Sequence, residues 1–136
     1  MKSLNFRTIL AVSMLVVFGF ALMSSMAPQK PWDVPAKYKS MKNPKSSSAA
    51  SIASGKELWN KNCASCHGKT GLGDGPKART LETFPLNFTK AAFQGQSEGD
   101  MFYKTKIGRG EMPKYEGKIA DDDIWLMVDF MKSLKK

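Results

Sequence analysis

Cys63-Ala64-Ser65-Cys66-His67 gathers two thiols and an imidazole into one short stretch of chain. Thiols three positions apart at a helix end lie on one face, where both can bond the vinyl groups of a single porphyrin. The adjacent imidazole, in its neutral form, then ligates iron beneath the ring. The pattern is specific because the chain's 2 Cys and 1 His all fall inside it. A zinc site would need further Cys or His ligands, and none remain. A thioredoxin-like dithiol needs a βαβ setting, which is absent, and a structural disulfide between such close cysteines is rarer still. The expected cofactor is one covalently attached haem c, held through Cys63 and Cys66 with His67 on the metal.

A second axial ligand cannot be His. Met101, Met127 and Met131 fall inside expected helices and read as core gap-fillers. Met112 differs, because it sits in Gly108-Arg109-Gly110-Glu111-Met112-Pro113, a loop that Gly and Pro can shape around a cofactor. The chain between His67 and Met112 is ample to cross from one haem face to the other. Met112 is therefore the expected sixth ligand.

The elements that must position these groups read as helices. Ser54 with Glu57 fits a capping box that opens a helix through Leu58 and Trp59 to about Cys63. Ser97 and Asp100 open a second, carrying Met101, Phe102, Tyr103 and Ile107, with Gly108 as its stop. A third begins at Asp121-Asp122-Asp123, at the positive end of the helix dipole, and ends among Lys132, Lys135 and Lys136. Ile124, Met127, Val128, Met131 and Leu134 form its buried stripe. Long Gly/Pro segments separate these helices, from Gly68 to Pro85 and from Gly108 to Gly117, and no segment alternates as a strand. The expectation is an all-α domain over residues 51–136, three to five short helices wrapped around one haem. A domain so small buries little apolar area, and the porphyrin would complete its core.

Upstream the chain changes character. Lys2 and Arg7 precede an apolar run from Ile9 to Met23, and no charge falls between Arg7 and Lys30. Residues 1–27 read either as a cleaved export signal or as an uncleaved membrane anchor. Ser25-Met26-Ala27 supplies small residues for cleavage, although Pro28 directly after it is a poor residue there, and Gly19-Phe20-Ala21 is a weaker second option. Lysines 30, 37, 39, 42 and 45 just downstream disagree with export under the positive-inside rule. Haem attachment of this kind occurs outside the cytoplasmic membrane and overrules them. Residues 28–50 read as a Pro/Lys/Ser-rich linker. Its Trp32 and Tyr38 suit either docking to a partner or membrane interface, or packing against the domain.

The combination resembles a class I monohaem cytochrome c of the small bacterial kind. The resemblance rests on Gly55 and Trp59, Cys63 to Gly68, Gly71-Leu72-Gly73-Asp74-Gly75-Pro76, Gly110-Glu111-Met112-Pro113, and Asp123-Ile124-Trp125. It implies a cytochrome c-like fold whose first and last helices cross beside the haem. Gly55 would permit the close approach, with Trp59 and Trp125 nearby. It also implies that a Pro carbonyl holds the His67 ring N–H, with Pro76 the better match and Pro85 the alternative. Where the family often caps the final helix with Ser or Thr this chain has Ala120, so Asp121 is expected to take over the cap.

With 136 residues, 21 Lys+Arg against 12 Asp+Glu and a net charge of +9, the chain has the charge of a nucleic-acid binder but not its distribution. Most of the excess lies in the export segment and the linker, and the haem domain is nearly balanced. No nucleic-acid partner is expected. Two cysteines also cannot staple a disulfide-rich secreted scaffold. The implied function is outer-sphere electron transfer between membrane or periplasmic redox proteins, at the periplasm or the periplasmic face of the inner membrane. Lys69, Lys77, Arg79, Lys104, Lys106, Arg109 and Lys114 flank the motifs and suit an acidic docking surface. Two rivals compete with the carrier: an anchored haem subunit of a membrane oxidoreductase, and an open-site haem enzyme or sensor in which Met112 leaves the metal free.

Overall fold

Ser48, not Ser54, starts the first long helix. In a computed structural model that describes residues 30–135, the Ser48 hydroxyl accepts from the Ser51 N–H at 3.1 Å and the Ser51 hydroxyl accepts from the Ser48 N–H at 2.9 Å. This capping box leaves Ser54 and Glu57 exposed inside a helix already under way. The described residues hold short α1 (Ala36–Lys39), long α2 (Ala49–Asn62), one-turn α3 (Ala64–His67) and α4 (Ala91–Gln94), then α5 (Glu98–Ile107) and α6 (Asp121–Ser133). A single 3₁₀ turn spans Ala78–Thr80, and no strand forms among the described residues. The fold is all-α, as expected. The proposed export or anchor segment, 1–27, lies outside the described residues, as does Lys136. No helix among the described residues is long and apolar enough to cross a membrane.

α2 and α6 form the frame. A Cβ built on Gly55 would lie 2.0 Å from the Leu126 carbonyl oxygen and 3.2 Å from Phe130 Cβ, so only glycine lets the two backbones meet there. One turn on, Trp59 is buried against Phe130, with ring centroids 5.6 Å apart. The aromatic partner at this crossing is therefore Phe130. Trp125, expected nearby, directly precedes Leu126, and its ring stacks on Phe102 of α5 at 4.3 Å and 18°. The stripe of α6 faces inward, with Ile124, Met127 and Val128 at 0% exposure. Such a stripe contributes most of the helix's stability, since each fully buried aliphatic side chain is worth about 1.5–3 kcal/mol.

α5 begins and ends where its sequence signals lie. Ser97 Oγ accepts from the Asp100 N–H at 3.0 Å, Asp100 Oδ2 accepts from the Ser97 N–H at 3.1 Å, and Gly108 closes the helix at φ +65°. The N-cap of α6 departs from expectation. Ala120 occupies it without a side-chain bond. Asp121 is not the cap, because both its carboxylate oxygens accept from Lys106 Nζ at 2.8 Å.

The stretch 28–50 is not a free linker over its described length: the compact unit begins at Pro31. Val34 is 3% exposed, and Tyr38 packs on Tyr103 at 4.7 Å and Phe102 at 6.4 Å. A Cβ on Gly99 would strike the Tyr38 carbonyl oxygen at 1.7 Å, so α5 presents a bare backbone face for this strap. Asn43 pins its far end, its N–H donating to Glu98 Oε2 at 3.0 Å and its side chain to Asp129 Oδ1 at 2.8 Å. Tyr38 thus packs against the domain.

Candidate functional site

α2 delivers Cys63 at its C-terminal cap, where the Cys63 N–H donates to the Trp59 carbonyl at 2.8 Å. The chain turns at once into α3, and the N–H groups of Cys66 and His67 donate back to the Cys63 carbonyl at 3.1 and 2.9 Å. One turn of backbone therefore fixes both thiols and the imidazole. Neither cysteine is in a disulfide. Gly68 leaves the turn at φ +77°, and its carbonyl accepts from the Trp59 indole N–H at 2.9 Å. That bond locks the indole against the motif.

The His67 ring packs against two aromatic rings that also touch each other, 5.5 Å from Trp59 and 4.9 Å from Phe88. Burial pushes its pKa down to about 4, so the imidazole is neutral at physiological pH, the form that binds metal. Its Nδ1 is buried and has no hydrogen-bond partner in the protein. The Pro carbonyl expected there is therefore not bonded to it. Pro76 is exposed on the outside of its turn, and the Pro85 carbonyl packs against Gly73. Burial, with Cys66 as a smaller cause, pushes the Cys63 thiol up to about 12. A dithiol oxidoreductase needs the opposite, a thiol lowered toward the thiolate.

Met112 arrives by a narrow loop. The Arg109 N–H donates to the Met112 carbonyl at 2.9 Å and the Met112 N–H donates to the Arg109 carbonyl at 3.0 Å. Glycines at φ +65° (Gly108) and φ +58° (Gly110) allow this tight bracket. It brings Met112 to an apolar cleft lined also by Trp59, Cys63, His67, Phe88, Thr105, Met127 and Met131. Cys63 Sγ lies 4.0 Å from Met127 Sδ. The structure thus gathers Cys63, His67 and Met112 around one cleft, with Cys66 half-buried on the same turn as His67. Pro76 is not part of it.

This donor set fits a covalently attached haem. The Cys63 thiol, a neutral imidazole with an orphaned nitrogen and a thioether converge on an apolar, aromatic-walled cleft, with the second uncrosslinked thiol, Cys66, on the same turn. Among the described residues no group of three or more His, Cys, Asp or Glu could hold a metal ion directly.

Several wall residues are not named by sequence pattern. Met127 and Met131 read as core fillers, yet they line the cleft, since the stripe of α6 covers both. Phe88 stands in an irregular segment with no periodicity to betray it; its N–H donates to the Gly71 carbonyl at 2.7 Å, which draws it under the glycine-rich loop. Thr105 lines the cleft from the buried face of α5, one turn after Met101, whose carbonyl accepts from its hydroxyl at 2.9 Å.

Comparison with known proteins gives consistent relatives. Residues 50–131 match the family described as cytochrome C oxidase, cbb3-type, subunit III. The chloroplastic cytochrome c6 of Chlamydomonas reinhardtii is 28% identical over 87 residues, 63% of this chain and 56% of that protein. Cytochrome c6 of Diacronema lutheri is 31% identical over 85 residues, 60% of this chain and 94% of that one. Among solved structures, a chain of the Kuenenia stuttgartiensis reducing HAO-like protein complex Kustc0457/Kustc0458 superposes with a TM-score of 0.63 at 28% identity, covering 71% of this chain and 50% of that one. The KustC0563 c-type cytochrome superposes at 0.54 with 23% identity over 60% of this chain and 98% of its own, a likeness of fold. The chain therefore spans about half the length of the first of each pair.

Proposed function

The chain belongs to the cytochrome c family described as cytochrome C oxidase, cbb3-type, subunit III, and from that premise we propose that it is a one-electron carrier with a single haem. Bound covalently at this site, the haem supplies an iron centre that takes up and releases one electron. Cys63 and Cys66 would hold it through thioether bonds, and His67 and Met112 would be its axial donors. Trp59, Phe88, Met127 and Met131 hold water out of the cleft and keep the imidazole in place. A thioether donor favours the ferrous state and raises the reduction potential. The observation that carries the reading is that His67 and Met112 line the same apolar cleft, next to an uncrosslinked Cys63. With His67 and Met112 both donating to the iron, substrate would have no open position, and transfer would be outer-sphere.

Redox proteins with acidic docking faces would be the partners. Of the basic residues near the motifs, Lys106 and Lys114 already pair with Asp121 and Glu116. Steering would then fall more on Lys69, Lys77 and Arg79, which are exposed along the segment that follows the haem-binding turn. Export, to the periplasm or its membrane face, follows from where haem is attached, with residues 1–27 as signal or anchor. A second reading, a haem subunit of an oxidoreductase, is favoured by the likeness to a chain of an HAO-like complex.

An absorption spectrum of the oxidised protein tests the carrier. The expected result is a weak far-red sulfur-to-iron band that vanishes in Met112→Ala. Rapid binding of CO or cyanide by the wild type would instead support an open-site haem. Mass spectrometry of the natural N-terminus separates carrier from anchored subunit, since a retained Ile9 to Met23 means an anchor.

A further inference from the structure

Arg109 ties the Met112 loop to the strap. Its guanidinium lies over the Trp32 ring, 4.4 Å from the centroid, and its Nη1 donates to the Pro31 carbonyl at 3.2 Å. A stacked guanidinium with a hydrogen bond beyond the ring is held in orientation as well as position. Lys104 Nζ stands 5.9 Å from the same ring and donates to Gln96 Oε1. On the backbone side, Arg109 is the residue that exchanges both hydrogen bonds with Met112. A displacement of Arg109 is therefore a displacement of Met112.

At its base the loop is closed by the N–H groups of Tyr115 and Glu116, which donate to the Lys106 carbonyl at 3.0 and 2.9 Å. A Cβ on Gly110 would meet nothing within 4 Å, so the tip stands in open space. Beyond the tip, Glu111 Oε2 accepts from the Thr83 N–H at 3.3 Å, an exposed contact. On the far side Tyr115 is anchored, its hydroxyl donating to the Asn62 carbonyl at 2.8 Å. The strap, by contrast, is a fixed post, with Val34 buried and the chain pinned again at Tyr38 and Asn43.

We infer that Trp32 and Arg109 are positioning residues for Met112: the strap, a segment outside the haem motifs, sets how firmly the sixth ligand is presented. The inference rests on the proposal that His67 and Met112 are the axial donors. It assigns Trp32 a place inside the redox unit, where sequence left it between docking and packing.

The test uses the haem-loaded full chain. Trp32→Ala and Arg109→Ala are compared with Trp32→Phe, which keeps a ring for the guanidinium, and with Ser48→Ala, which weakens the cap of α2 and leaves Arg109 and Met112 unaltered. Ferric proteins are titrated with free imidazole, which competes with a loosely held thioether, and amide exchange is read at Met112. Trp32→Ala and Arg109→Ala should bind imidazole at least tenfold more tightly than wild type, dim the far-red band and speed exchange at the Met112 N–H. Trp32→Phe should stay near wild type. If both alanine variants match Ser48→Ala in imidazole affinity and band intensity, the positioning role is overturned. A wild type whose spectrum does not change in Met112→Ala overturns the axial assignment itself, a separate failure.

Discussion

The Tyr115 hydroxyl donates to the Asn62 carbonyl at 2.8 Å, joining the loop that carries Met112 to the residue before Cys63. The two sides of the cleft are thereby tied by one bond outside any metal chemistry. The phenol is partly buried, and burial is the largest cause of its raised pKa, so it stays a protonated donor. Tyr115→Phe should lower stability by about 1 kcal/mol, the usual net worth of such a bond. Denaturant midpoints compared at unchanged slope check this.

Gly55→Ala should destabilise the protein although alanine is the better helix former. The added methyl would lie 2.0 Å from the Leu126 carbonyl oxygen, which is backbone and cannot rotate away. The crossing of α2 and α6 must widen, at about 1–3 kcal/mol for an overpacked contact. A fall in Tm accompanied by weaker protection of Trp59 would bear this out; an unchanged Tm would mean the helices are free to part.

Asn43→Ala should cost more than its half-exposed position suggests. Asp129 is 4% exposed, its Oδ1 accepts from the Asn43 side chain at 2.8 Å, and its Oδ2 has no partner. Removing the amide leaves a buried carboxylate unbonded, a loss of about 1–3 kcal/mol. The double variant with Asp129→Asn should recover part of it, measurable as a coupling in a double-mutant cycle.

Stability should rise with pH across the range where His67 alone titrates. The imidazole has a pKa of about 4 in the folded chain against 6.5 when free, because burial opposes its charge. Between those values the unfolded chain binds a proton that the folded chain refuses. The contribution is complete above 6.5 and is lost progressively as pH falls toward 4. Since the chain has 1 His, the slope of unfolding free energy between about pH 5.5 and 6.5 belongs to this group. Equilibrium unfolding at several pH values reads it, and a flat profile there would contradict it.

What could be read from sequence divides by the range of the interactions. α5 was legible because Ser97, Asp100 and Gly108 are local signals that act within one turn. The turn that gathers Cys63, Cys66 and His67 was legible because its three side chains are neighbours in sequence. The start of α2 was not, since Ser54 and Glu57 match the usual capping pattern better than Ser48 and Ser51 do. Asp121 would cap α6 by local logic, but Lys106 captures its carboxylate from another helix. The strap was read as a linker from its Pro and Lys content, because its partners are remote: Asn43 and Asp129 are 86 residues apart. A ring contact such as Phe130 on Trp59 leaves no trace in spacing within either helix.

The bare backbone at Gly55 also constrains the order in which the chain can fold. It faces Leu126, about seventy residues downstream, and closing a loop of that length costs conformational entropy before any contact offsets it. Most of the wall of the cleft, including Phe88, Met112, Met127 and Met131, lies inside or beyond that loop. The CxxCH turn, in contrast, is complete as soon as α2 and α3 are made. A haem bonded to that turn would therefore be in place before the distant helix closes over it.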